Sequence, residues 1–160
     1  MFIDNENNIV YNQIIPVWCD LFLEKIMKIS SKGRYAVRIM AELARHGGEF
    51  VPVSELSEKQ NITTKYLEKI ISMLVKANFV QSSRGAQGGY KLTRKPEEYT
   101  VAEILKITDD LPKLVPCIAE HEKCPMAEKC DSVGVWGKLT AMIDDYLQKI
   151  TIKDLIDKTY

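Results

Sequence analysis

Residues 52–92 constrain this chain more than any other stretch. Pro52 opens a short helical pattern through Gln60, with Val53 and Leu56 on its inner face. Asn61-Ile62-Thr63 then makes a turn, and Thr63 is placed to cap a further helix from Thr64 to Ala77. That helix carries Leu67, Ile70, Ile71, Leu74 and Val75 at helical intervals, so they form one stripe. Its other face shows Lys65, Glu68, Lys69, Ser72 and Lys76. Two short helices joined by so tight a turn make a helix-turn-helix. Next, Phe79-Val80-Gln81-Ser82 and Tyr90-Lys91-Leu92 read as strands around the loop Ser83-Arg84-Gly85-Ala86-Gln87-Gly88-Gly89. A hairpin directly after a helix-turn-helix is a wing, and its glycines permit close backbone approach to a phosphate or a narrow groove.

The flanks are helical as well. Upstream, Ser31 can cap a helix with Tyr35, Ala36, Ile39, Met40 and Leu43 on one face. His46-Gly47-Gly48 ends it, and His46 suits the negative end of the helix dipole. Downstream, Thr100 caps a helix to about Ile107 with Val101, Ile104 and Leu105 inward. The winged-helix core is expected to be complete there. A loop-rich stretch follows to Ser132, then a long helix to Ile150. Its apolar residues are Val135, Trp136, Leu139, Met142, Ile143, Tyr146, Leu147 and Ile150. With the core complete, that wide stripe needs another partner. DNA readers pair to match palindromic sites, so a two-fold dimer with this helix at the interface is expected; an extra core helix is the alternative. Thr151, with Asp154 three residues on, is a capping-box start for a final short helix.

Composition narrows the class. The chain has 160 residues, 46% hydrophobic and 28% charged, which suits one packed domain and excludes disordered, collagen-like and disulfide-scaffold chains. No run of about 18 apolar residues offers a membrane span. Net charge is zero, yet the charges are segregated: −3 over residues 1–26, +8 over 27–95 and −5 over 96–160. A basic middle before an acidic tail fits a polyanion-binding module joined to something else. Asp4, Glu6 and Pro16 stand where a secretory signal would be basic and apolar, which points to the cytoplasm. Residues 1–26 show no clean period and read as an upstream extension, the domain's own start lying at Met27. The alternative is a genuine helix from Val17 to Ile26. No nucleophilic triad, phosphate loop or pair of catalytic carboxylates stands out, so the chain does not read as an enzyme.

Four cysteines remain to be explained. Cys19 lies alone in the extension, whereas Cys117, Cys124 and Cys130 fall within fourteen residues. Disulfides are disfavoured by the odd number and the absence of a secretory signal. Structural zinc favours knuckles of two to four intervening residues; the spacings here are six and five. Thiolates on longer spacings suit an iron–sulfur cluster. Iron–sulfur, zinc and redox-active thiols all stay open on spacing alone. His121 is the local candidate for a fourth ligand, with Glu120, Glu122 and Asp131 as oxygen alternatives.

The combination resembles the Rrf-type winged-helix transcriptional regulators, relatives of IscR, NsrR and CymR. The matching residues are Met27-Lys28-Ile29-Ser30-Ser31-Lys32-Gly33-Arg34-Tyr35-Ala36-Val37, then Tyr66-Leu67-Glu68, then Arg84-Gly85-Ala86-Gln87-Gly88-Gly89-Tyr90. The likeness runs from Met27 to about residue 157. It implies a homodimer that binds a double-stranded DNA operator near promoters. It also implies that Cys117, Cys124 and Cys130 hold an iron–sulfur cluster, 2Fe–2S in preference to 4Fe–4S, with zinc as the alternative. Two positions depart from the family's ligand sets. Val133 stands where IscR-like members have a histidine, and Arg34 where NsrR-like members have an acid.

The expected architecture is mainly α with a small β-wing: a winged helix-turn-helix DNA-binding domain plus a long C-terminal dimerisation helix. Its parts are the extension 1–26, the DNA-binding domain 27–107, the cysteine loop 108–131 and the dimerisation region 132–160. The expected function is a homodimeric regulator, in repressor style, that senses iron–sulfur, redox or nitric-oxide status. A zinc-stabilised or thiol-based repressor is the alternative. Thr63, Thr64, Lys65 and Tyr66 lie at the end of the third helix that usually meets DNA, with Lys69 one turn on. Ser31, Lys32 and Arg38 are candidate phosphate contacts, and Arg84 is expected in the minor groove with Gly85, Gln87 and Gly88 of the wing beside it.

Overall fold

The computed structural model describes residues 29–85, 88–111, 115 and 129–160. Three helices come first: α1 (Ser31–Arg45), α2 (Val53–Gln60) and α3 (Thr64–Lys76). Strands β1 (Val80–Ser83) and β2 (Gly89–Leu92) follow, then a 3-10 turn at Pro96–Glu98 and α4 (Val101–Ile107). The described chain closes with α5 (Val133–Lys149) and α6 (Ile152–Asp157). This is the mainly helical fold with a two-stranded wing that the sequence implies. Among the described residues no helix is long and apolar enough to cross a membrane.

The core forms where the apolar stripes converge. Ala36, Ile39, Met40 and Leu43 of α1 meet Leu56 of α2, Leu67, Ile70, Ile71 and Leu74 of α3, and Ile104 of α4. Tyr99 sits in the same cluster, fully buried, and its hydroxyl is a hub. It accepts from Thr93 N at 3.1 Å and Arg94 N at 2.7 Å and donates to the Phe79 carbonyl at 3.0 Å. The base of the wing is thereby tied to the core.

Three local starts follow the residues that encode them. The Thr63 hydroxyl accepts from Tyr66 N. Thr100 with Glu103 and Thr151 with Asp154 both form complete capping boxes. The start of α1 differs: Ser30, not Ser31, is the N-cap, its hydroxyl accepting from Gly33 N. Either serine has the right chemistry. Ser30 takes the role because its own N–H and hydroxyl donate to Asp110.

The core is not complete at residue 107. Ile152 of α6 is fully buried in it, and Leu155 and Ile156 pack against it. The return is pinned at its base. Val101 N donates to the Ile150 carbonyl and Ile152 N to the Tyr99 carbonyl, each at 2.9 Å, around a bridge between Thr100 and Thr151. By contrast, α5 buries none of its residues. It packs on α4 and leaves Val135, Trp136, Leu139, Met142 and Tyr146 exposed.

Candidate nucleic-acid interface

The turn between α2 and α3 is built by local polar chemistry. Asn61 ends α2 in the left-handed region at φ 52°, a conformation asparagine tolerates. Ser57 then closes the corner: its carbonyl accepts from Ile62 N at 3.2 Å and its hydroxyl donates to the Ile62 carbonyl at 2.6 Å. The Thr64 hydroxyl donates to that of Ser57 at 3.3 Å. With its entry fixed, α3 presents Thr63, Thr64, Lys65 and Lys69 to solvent.

Tyr66 is different, being half-buried. Its ring meets Tyr35 of α1 edge-on, centroids 6.0 Å apart, an arrangement favoured by the ring quadrupoles. Arg38 lies over the other participant, 5.1 Å from the Tyr35 centroid, and donates to the Gln60 carbonyl at 3.4 Å. Tyr66 and Arg38 are therefore seated on neighbouring elements while Lys65 and Lys69 stand clear. These links join α1, the end of α2 and the start of α3, and the sequence reading missed them. The Tyr35-to-Arg38 spacing of one helical turn was the available signal.

A charged network fixes α2 on its other side. Lys59 Nζ lies 2.9 Å from Glu42 Oε1, 3.0 Å from Glu55 Oε1 and 3.2 Å from His46 Nε2. Burial pushes the Glu42 carboxyl up, but hydrogen bonds and charge from Lys59 and Arg45 outweigh it and hold the group below its ordinary value. His46, read from sequence as a dipole-complementing helix end, is also a bridge between α1 and α2.

The wing extends further than its two strands. Val51 and Tyr90 exchange N–H to carbonyl bonds at 2.9 Å in both directions, adding a third line beside β2. This pairing needs Gly89, because a Cβ there would collide with the Val51 carbonyl. At the tip, Gly85 has φ 112° and its carbonyl accepts from Gly88 N at 2.9 Å. A Cβ on Gly88 would come within 2.5 Å of the Ser83 carbonyl. Arg84, at this tight tip, is exposed to solvent. Gln87 lies outside the described residues.

Of the cysteine triad, Cys130 is described; Cys117, Cys124 and His121 lie outside the described residues. Cys130 is half-buried just before α5, with Sγ 3.3 Å from the Ser132 hydroxyl. Hydrogen bonding from that hydroxyl and from the Ser132 and Val133 N–H groups draws its pKa below the ordinary thiol value. A thiol held toward its thiolate form at a helix start is the donor an iron or zinc centre requires. Asp131 is exposed beside it.

The family model for Rrf2, described as an iron-dependent transcriptional regulator, matches residues 29–158. The chain belongs to the Rrf2 family. Curated relatives agree. The chain is 33% identical to "Protein rrf2" of Nitratidesulfovibrio vulgaris over 131 residues, 81% of this chain and 87% of that one. It is 37% identical to the HTH-type transcriptional regulator IscR of Aliivibrio salmonicida over 131 residues, 81% of this chain and 77% of that one. Among solved structures it is similar to CymR, titled the global cysteine regulator of B. subtilis. That likeness has a TM-score of 0.68 and 30% identity, covering 84% of this chain and all of that one. The Rrf2 chain is thus a DNA-binding transcriptional regulator and not an enzyme.

Proposed function

We propose that this Rrf2-family regulator is a homodimer whose DNA affinity is set by an iron–sulfur cluster on Cys117, Cys124 and Cys130. The observation that carries the reading is the position of Cys130. Its thiol, held toward thiolate by Ser132, stands at the start of α5, whose apolar face is exposed. One end of the proposed dimer helix is therefore continuous with a proposed metal-binding side chain. Change at the cysteines alters how that helix begins, and with it the spacing of two DNA-reading heads. The description of the matching family as iron-dependent supports this. When bound, a cluster supplies a redox-sensitive, oxygen-labile group of iron and sulfide. His121 is the candidate fourth ligand, with Glu120, Glu122 and Asp131 as oxygen alternatives. On the DNA side, Lys65 and Lys69 of α3 reach the major groove, Arg84 the minor groove, and Ser31 and Lys32 the backbone.

The test is purification without oxygen, with the visible spectrum, iron, sulfide and zinc measured together. Brown protein with iron and sulfide near one cluster per chain is expected. Colourless protein that takes up no iron on reconstitution defeats the reading. A second reading, a thiol-based regulator without a cluster, draws on the lowered pKa of Cys130 and on the likeness to a cysteine regulator. It predicts colourless protein whose mass falls by about two per disulfide on mild oxidation.

A further inference from the structure

The first turn of α1 is held from eighty positions away in the chain. Asp109 adopts φ 54°, and Asp110 N donates to the Leu105 carbonyl at 2.8 Å. This left-handed step ends α4 and swings the Asp110 side chain onto α1. There one carboxylate oxygen accepts from Ser30 N at 3.1 Å and the other from the Ser30 hydroxyl at 2.8 Å. The Ser30 hydroxyl in turn accepts from Gly33 N at 3.3 Å. Asp110 is buried, and Gly33 makes room for it: a Cβ at position 33 would lie 2.8 Å from the carboxylate.

A helix start ordinarily needs no more than its N-cap and water. Here the N-cap is itself held, by a buried carboxylate that also complements the helix dipole. The consequence concerns the side chains on the outside of that turn. Ser31 and Arg34 are exposed and Lys32 is half-exposed. One turn on, Tyr35 meets Tyr66 in the first turn of α3. The held turn therefore lies beside the end of α3 that enters DNA in this class of reader. Asp110 and Ser30 take up the Gly33 amide and the cap itself, so where the Ser31 and Lys32 side chains stand relative to a DNA phosphate depends on where the turn is fixed.

We propose that Asp110 is a positioning residue for DNA binding: through Ser30 it fixes the first turn of α1 so that Ser31 and Lys32 meet the DNA backbone. This rests on the reading of that turn as a backbone contact, and the experiment separates the two. The full chain is titrated onto a fluorescent random-sequence duplex from about 50 to about 200 mM KCl, and log affinity is plotted against log salt. Lys32→Gln makes the slope shallower by about 0.9 for each protomer bound. Asp110→Ala and Ser30→Ala do the same although Lys32 is intact, and Ser30→Thr, which keeps the hydroxyl, restores the parent slope. A role confined to stability lowers the unfolding temperature of Asp110→Ala and Ser30→Ala without moving the slope. That outcome, with Lys32→Gln shallower, overturns the proposal alone. An unchanged slope in Lys32→Gln overturns the backbone reading and the proposal with it.

Discussion

Ile152→Ala tests whether the last helix belongs to the DNA-binding core. Ile152 is 0% exposed and shares its cluster with Ile39, Leu43, Tyr99 and Ile104. Its N–H stays bonded to the Tyr99 carbonyl after truncation, so the loss is one of packing. Removing a buried isoleucine side chain to alanine costs about 2–5 kcal/mol, transfer and cavity together. Against a total stability of about 5–15 kcal/mol, that is a large fraction. At roughly 3 °C for each kcal/mol in a chain of this length, the unfolding temperature falls by roughly 6–15 °C. Urea titration followed by far-ultraviolet circular dichroism measures the loss, at fixed protein concentration because the proposed association would contribute to stability. One transition shifted to lower urea is expected, since α6 closes the cluster that α1 and α4 share. A loss under about 1 kcal/mol, or a separate early transition for α6, would refute the reasoning.

Gly89→Ala forces a Cβ against the Val51 carbonyl, so the Val51–Tyr90 pairing opens; nuclear magnetic resonance should show faster exchange at the Val51 and Tyr90 amides, with weaker DNA binding. Arg84→Ala removes an exposed tip arginine; specific DNA affinity should fall tenfold or more, about 1.4 kcal/mol or above, with the unfolding temperature unchanged. Trp136→Glu places a charge on the apolar face of α5, where Leu139, Met142 and Tyr146 are also exposed, and sedimentation should show dimer giving way to monomer. Glu42→Gln reports on acid stability. The folded-state pKa of Glu42 lies below the ordinary 4.5, so its contribution is present above that value and lost as pH falls through the folded value. The variant is therefore less stable than the parent at pH 7, and the gap closes below about pH 4.5.

What could be read from sequence was local. Thr63, Thr100 and Thr151 announce helix starts because each bonds an amide three residues on. The buried stripe of α3 follows from spacing alone. The readings that needed revision all involve a distant partner. Ser30 and Ser31 are equivalent until Asp110 chooses between them. Nothing in six residues of α6 states that Ile152 enters a core begun at residue 36. Arg38, a candidate phosphate contact, gains a further setting that only the fold supplies, over Tyr35 and beside the Gln60 carbonyl. Of the proposed cysteine ligands, Cys130 alone has described surroundings, and its bond to Ser132 was a neighbour effect the sequence already contained.

The late return of α6 has a consequence during synthesis. Domains tend to fold as units while the ribosome is still adding residues. This head cannot do so early, because Ile152 must emerge before its cluster is filled. By then α5 has already left the ribosome. A chain interrupted between the wing and α6 has a defective core rather than a working DNA reader without its association helix. A complete head is therefore formed only after the helix proposed to pair it has been made.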